Sequence, residues 1–266
     1  MTFKLNHDLH LHTNLSLCCS DERMTPQAVL DYAIKAGYEA VCITNHLWDE
    51  NIPGATEFYR PQNISHIYKA LPLPPSGNVR VAFGCETEYC GGKKLGLSPE
   101  SFHLFDFIVI PVNHFHMTGF TRPEDCNTAE KIAELFIRRL EELICLELPW
   151  EKVGIAHLTA GLTFPDSGDE LYRVFRLMPE KRLSAVFRFL GKHGAGIELN
   201  AGCFSQGWTA HKEDILRIYH IAKNEGCRFY CASDAHHYEE LYSVYQNLSE
   251  PVELLDLDDS HRYIIS

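Results

Sequence analysis

No apolar run in this 266-residue chain approaches the roughly eighteen residues that a membrane-spanning helix requires, which argues against a membrane span. The opening "MTFKLNHDLH" lacks a basic region followed by an apolar stretch, so no signal peptide is read and the cytoplasm is the expected location. Basic side chains are scarce. Lys and Arg total 24 against 36 Asp and Glu, a formal charge of -12, and no basic stripe interleaves with aromatics; duplex nucleic acid is not an expected partner. The ten cysteines form no CxxC pair. Cys18 and Cys19 are adjacent and Cys42, Cys145 and Cys231 lie in apolar runs, so buried free thiols are expected rather than disulfides. A GxSxG elbow is absent, and the glycine-rich "CGGKKLG" (90–96) fits neither the P-loop nor the dinucleotide spacing, leaving a flexible turn.

What the chain does contain is alternation. Short β-branched runs at 3–11, 40–44, 79–84, 105–112, 152–157, 196–199 and 228–233 are separated by longer stretches of helical period. Helix signals include Thr25-Pro26 before a run to Gly37, Thr128 opening a helix through about Leu146, Pro179 before a run to Gly194, and 211–225 closed by Gly226. A further helix is expected over about 238–248. Strands alternating with helices predict an α/β fold around a parallel sheet, in a single domain of 45% hydrophobic residues. The Pro-, Asn- and Gly-rich stretch 47–78, with at most a short helix near 62–70, is long enough to suggest a functional loop.

Each strand end then delivers a ligand-type residue: His10 and His12, His46, Glu86, His114, His157, Glu198 with Asn200, and Asp234 with His236. In a βα barrel these ends converge on one mouth. Imidazole and carboxylate suit zinc, manganese or iron, and two or three such divalent ions could share the set. The HxH pair projects both imidazoles to one side of a strand, and a carboxylate such as Glu86 can bridge two cations.

"DLHLHT", "TNH", "GCE", "PVNHF", "GIAH" and "SDAHH" together resemble the PHP superfamily, the polymerase and histidinol phosphatase group, over residues 8–237. Length and organisation are most similar to its histidinol-phosphatase branch. The resemblance implies a distorted seven-stranded (β/α)7 barrel with parallel strands. It implies one ion on His10, His12, Glu86 and Asp234, a second on Glu86, His114 and His157, and a third on His46, His236 and Asp21. The implied reaction is hydrolysis of a small phosphomonoester by metal-activated water, with Glu86, Asp234 and His236 central to catalysis. Histidinol phosphate leads as substrate, ahead of nucleotide or sugar phosphates. His116 or His237 would be a candidate acid for the leaving group.

Some residues depart from the family pattern. Asn45 stands where many members carry Asp, removing a charge near the third ion. After His157 the expected basic segment is replaced by "LTAGLTFPDSGDELYRVFRL", so the phosphate clamp falls to Arg122, Arg173 or Arg176, with Asn200 as a further substrate contact. An amidohydrolase-like deaminase would also begin with HxH, yet its bridging lysine has no counterpart in "PVNHFH". A non-catalytic metal-binding module is the remaining alternative. Nothing in the sequence bears on oligomeric state.

Overall fold

A computed structural model describes residues 2–265. Ten strands are present: β1 (His7–Leu11), β2 (Ala40–Ile43), β3 (His46–Leu47), β4 (Arg80–Thr87), β5 (Tyr89–Gly91), β6 (Lys94–Leu95), β7 (Phe107–Ile110), β8 (Val153–Ile155), β9 (Gly196–Asn200) and β10 (Arg228–Ala232). Seven of them run parallel in the order β1-β2-β4-β7-β8-β9-β10 and curl into a nearly closed barrel flanked by helices. All seven strands expected from the sequence are these seven. Two-residue β3 extends the β4 ladder at the mouth, pairing His46 with Glu86.

The helices follow their end signals. Pro26–Ala36 (α1) is capped by the Thr25 hydroxyl and ends at Gly37, whose φ of 71° is a left-handed conformation that glycine adopts without strain. After the short Ile64–Ile67 (α2), Ala129–Leu143 (α3) starts under the Thr128 cap and buries Ile132, Leu135, Phe136 and Leu140 in the larger core. Each such side chain contributes about 1.5–3 kcal/mol by leaving water. Glu180–His193 (α5) and Lys212–Asn224 (α6) complete the long helices. One eight-residue helix, Glu170–Leu177 (α4), is not signalled by the sequence. It has neither a capping side chain nor a terminal glycine, and packing on α3 and α6 supplies what local propensity does not. The expected helix at 238–248 breaks into a 3-10 turn (Tyr238–Tyr242) and a five-residue helix (α7, Ser243–Asn247), followed by Ser249–Leu254 (α8).

Two cores result. The larger lies between strands and helices; the smaller fills the barrel with Leu9, Cys42, Ala82, Phe107, Val109, Ala156, Tyr230 and Ala232, closed from below by Tyr263 and Ile265. Gly154 and Gly196 make room for these rings. A Cβ on Gly154 would lie 2.5 Å from both Phe107 and the Tyr230 hydroxyl, and one on Gly196 would lie 2.8 Å from the Tyr230 ring.

Closure between β1 and β10 is irregular. Near the mouth Asp234 N donates to His10 O at 2.8 Å and His12 N to Ala235 O at 3.0 Å. Lower down, side chains replace the ladder: Cys231 N donates to His7 Nε2 and Ser233 N to Asp8 Oδ1, each at 3.0 Å. Burial, aided by the Arg262 charge, pushes His7 down to about 3, which keeps Nε2 an acceptor. Burial raises Asp8 to about 7 against the opposing bonds from Ser233.

Candidate metal centre

The strand ends do meet. His10 and His12, at the end of β1, bring their Nε2 atoms to 3.2 Å from each other even though the β1–β2 register shifts between Asp8 and Leu11. Glu86 sits at the centre. Its Oε2 lies 3.4 Å from His10 and His12 Nε2 and 2.9 Å from His46 Nδ1, while Oε1 faces His157 Nε2 at 3.4 Å and His114 Nε2 at 3.8 Å. Asp234 Oδ1 is 3.2 Å from His12 Nε2 and 3.4 Å from His10 Nε2. Three groups have ligand atoms mutually within 4.8 Å: His10, His12 and Asp234; Glu86, His114 and His157; His12, His46 and His236.

The surrounding hydrogen bonds indicate which nitrogen is bare in the neutral rings of His10, His12, His114 and His236. His10 Nδ1 faces the buried Glu198 carboxylate at 2.8 Å, so it carries the proton. His114 Nδ1 faces Glu88 at 2.5 Å, and His236 Nδ1 donates to the Asp234 carbonyl at 2.8 Å. The Ser16 hydroxyl donates to Asn45 Oδ1 and accepts from His46 N, so its contact with His12 Nδ1 at 3.0 Å is acceptance of a proton as well. In their neutral forms, the rings of His10, His12, His114 and His236 therefore present a bare Nε2. His10 and His12 oppose bare lone pairs at 3.2 Å, and His114 Nε2 stands 3.1 Å from His157 Nε2. Nitrogen pairs this close need a proton or a metal cation between or beside them, and imidazoles grouped with carboxylates are a donor set that fits divalent metal.

Electrostatics agree. Against the opposing cost of burial, the carboxylates pull His10, His12, His46 and His157 above the ordinary imidazole range. Glu86 and Asp234 are held well below the carboxylate range by the same imidazoles, again against burial. Positive charge belongs here, and metal would displace protons to supply it. His157 (φ 23°) and Asp234 (φ 54°) hold left-handed backbone unusual for non-glycine residues, a strain that concentrates at functional sites.

Other expected residues are placed differently. Asp21 does not join the group: it accepts from Arg23 Nε at 2.9 Å, Arg23 Nη2 at 2.7 Å and Tyr238 N at 2.9 Å, because the loop after His12 turns it toward the exposed guanidinium. Arg173 lies outside the mouth, paired with Glu130 and Glu170, and Arg176 pairs with Asp214. Arg122 bonds Thr118 and does not line the cavity. Asn200 is close: it donates to Asp234 Oδ2 at 3.2 Å and Glu198 Oε1 at 2.8 Å. Asn45 is structural, with Oδ1 accepting from Thr13 N at 2.8 Å and from Ser16 Oγ, so it fastens the loop after His12. His237 is a helix cap, and Lys94 lies over Trp48. Gly92 and Lys93, both at positive φ, form the turn of the β5–β6 hairpin, as the glycine-rich run suggested.

A cavity of about 420 Å³ opens over the cluster, lined by Cys18, His46, Phe58, Tyr59, Glu86, His114, His116, Met117, Leu162, Asp234 and His236. Phe58 and Tyr59 come from the long 47–78 loop. Neither lysine nor arginine lines it among the described residues. Sequence reasoning missed the roles of Glu88 and Ser16 and passed over Cys18. For Glu88 the signal was available, since it follows Glu86 at strand period.

Comparison with known proteins gives a consistent placement. The PHP domain family model matches residues 8–202. A histidinol phosphate phosphatase from Lactococcus lactis subsp. lactis Il1403, solved with zinc, L-histidinol and phosphate, superposes with a TM-score of 0.65 at 14% identity, over 97% of this chain and 98% of that one. A putative histidinol phosphatase from Listeria monocytogenes gives 0.58 at 14% identity, over 90% and 99%. No curated protein sequence matches.

Proposed function

We propose, from the premise that the chain belongs to the PHP domain family, that it is a metal-dependent phosphatase acting on a small phosphomonoester. The observation that carries this reading is the convergence of the His10, His12, His114 and His157 Nε2 atoms around the buried Glu86 carboxylate. His10, His12, Glu86 and Asp234 would hold one divalent ion, Glu86, His114 and His157 a second, and His46 and His236 would contribute to a third. Zinc, manganese and iron all suit such donors. Bound ions supply acidification of water near neutral pH and neutralisation of phosphoryl charge.

The chain's own residues do the rest. Glu86 keeps two groups of imidazoles in one register. Asn200 and Glu198 fix Asp234 and His10 from behind. Phe58, Tyr59, Met117 and Leu162 shield the mouth from water. His116, held down to about 4 by burial and the nearby His114, stays neutral there and can donate a hydrogen bond to the leaving oxygen. With Arg122 and Arg173 away from the cavity, phosphate recognition rests on the metal-binding residues.

Histidinol phosphate is the first substrate to test. The solved neighbour from Lactococcus lactis was crystallised with L-histidinol and phosphate, which supports that choice. Phosphate release by manganese- or zinc-loaded protein should be measured on histidinol phosphate beside nucleotide and sugar monophosphates. Selective release supports the named substrate; release only from other esters keeps the phosphatase and discards the substrate; release from none removes both.

A further inference from the structure

Single apolar side chains on a surface are ordinary, whereas apolar side chains grouped around a polar cavity mark a ligand-binding groove. Phe58 and Leu162 are 37% and 38% exposed, and both line the cavity over the metal centre. Loose loops do not explain them. The Phe58 carbonyl accepts from Gln62 Nε2 at 2.9 Å, and Gln62 Oε1 accepts from Leu17 N at 2.9 Å. Next in the chain, the buried Tyr59 donates its hydroxyl to Glu88 Oε1 at 2.5 Å, the same oxygen that faces His114 Nδ1 at 2.5 Å. The Phe58 ring stands edge to face with Tyr59, centroids 5.0 Å apart, and with His46 at 5.7 Å.

Leu162 is fastened in a similar way. It lies in the 3-10 turn Gly161–Thr163, where the Thr163 hydroxyl accepts from Asn113 Nδ2 at 2.8 Å, and the same amide donates to the His157 carbonyl at 3.0 Å. Both apolar side chains are therefore tied to the segments that supply His114 and His157. A phosphoryl group bound at the centre leaves the rest of its ester to meet them, since Phe58 packs directly on His46. That portion of the ester finds few charged partners. Glu86 and Asp234 are the carboxylates lining the cavity, both are assigned to metal, and neither lysine nor arginine lines it among the described residues.

We infer that Phe58 and Leu162 form the leaving-group subsite and that the substrate is the monophosphate ester of an alcohol bearing a planar, largely apolar ring, with Phe58 the main specificity-determining residue. This names the substrate class of the same site and rests on the phosphatase reading above. Hydrolysis breaks the ester bond between phosphorus and the alcohol oxygen. Water supplies the new bond to phosphorus and the proton taken by the departing oxygen, so the ring leaves as the free alcohol. A polyol in its place would press hydroxyls against apolar walls that offer them no hydrogen bond.

The test measures phosphate release by the full chain loaded with manganese, on benzyl, methyl, glycerol and histidinol phosphates, all esters of unactivated alcohols. By kcat/KM the parent should favour benzyl over methyl and glycerol phosphate. Phe58→Ala should raise KM for benzyl phosphate about 2- to 12-fold with kcat nearly held, shrinking that preference. Phe58→Tyr keeps the ring and should keep the preference, while Leu162→Ala, the second variant, should also shrink it. Equal turnover of benzyl, methyl and glycerol phosphates, or a preference that survives both F58A and L162A, overturns the inference and leaves the phosphatase standing. Histidinol phosphate belongs to the class through its imidazole; if it is hydrolysed while benzyl phosphate is refused, recognition lies elsewhere and the inference falls alone. Release from no ester by metal-loaded protein removes the phosphatase reading as well.

Discussion

Replacement of Glu198 by Gln tests the centre without touching a residue assigned to metal. Glu198 is fully buried and accepts three hydrogen bonds at 2.8 Å, from His10 Nδ1, Tyr230 OH and Asn200 Nδ2. Gln preserves volume but replaces one acceptor oxygen by an amide nitrogen. That nitrogen must face either the Asn200 amide or the His10 and Tyr230 protons, so a donor–donor contact is unavoidable. The negative charge that makes His10 a better ligand is also removed. Losing such a partner behind a ligating histidine costs about 10- to 100-fold in metal affinity, roughly 1.4–2.7 kcal/mol. Zinc affinity should be measured by chelator competition, with circular dichroism to confirm the fold. The thermal midpoint should fall more in zinc than in chelator, because only the loaded state uses the Glu198–His10 bond to hold an ion. An affinity within about twofold of the parent in a folded variant would refute the argument.

Glu86→Gln should lose metal from two groups together and abolish phosphate release; elemental analysis showing normal content would contradict the bridging geometry. Asp21→Asn should leave metal content unchanged, which the same analysis checks. Gly154→Ala should overpack the barrel floor against Phe107 and Tyr230 and cost about 1–3 kcal/mol by denaturant unfolding. For the seam, the signs of two shifts oppose. His7, at about 3 against an ordinary 6.5, binds fewer protons when folded and makes stability rise with pH between those values; Asp8, at about 7 against 3.8, makes it fall. Relative to the parent, His7→Gln should therefore tilt the stability profile downward with rising pH between 4 and 6.5, by about 1.4 kcal/mol per pH unit at most, read by urea titration in chelator.

Much of this was legible in the chain. The seven strands announced themselves because parallel strands buried on both faces read as short β-branched runs, and the helices because Thr128, Thr25-Pro26 and Gly37 are local signals. The convergence of His10, His12, Glu86, His114, His157 and Asp234 followed from barrel topology alone. What sequence could not decide was loop direction. Asp21 and Cys18 lie three residues apart in one loop, yet Cys18 lines the cavity while Arg23 and the Tyr238 amide hold Asp21 aside, contacts that no local pattern announces. The arginines failed for a similar reason: Arg173 and Arg176 sit on α4, a helix without end signals, so the face that each presents depends on packing rather than on pattern.

The irregular seam between β1 and β10 is also the joint that carries His10, His12 and Asp234. Two amides there, Cys231 and Ser233, are held by side chains rather than by a continuous ladder. Local opening at this edge would separate the imidazoles of β1 from the carboxylate beyond β10, so a bound ion acts as a rivet across it. Hydrogen exchange at those two amides should slow when metal is added, while exchange in the β2–β4 ladder stays nearly constant. The centre would then be a fastener of the fold as well as a place for chemistry.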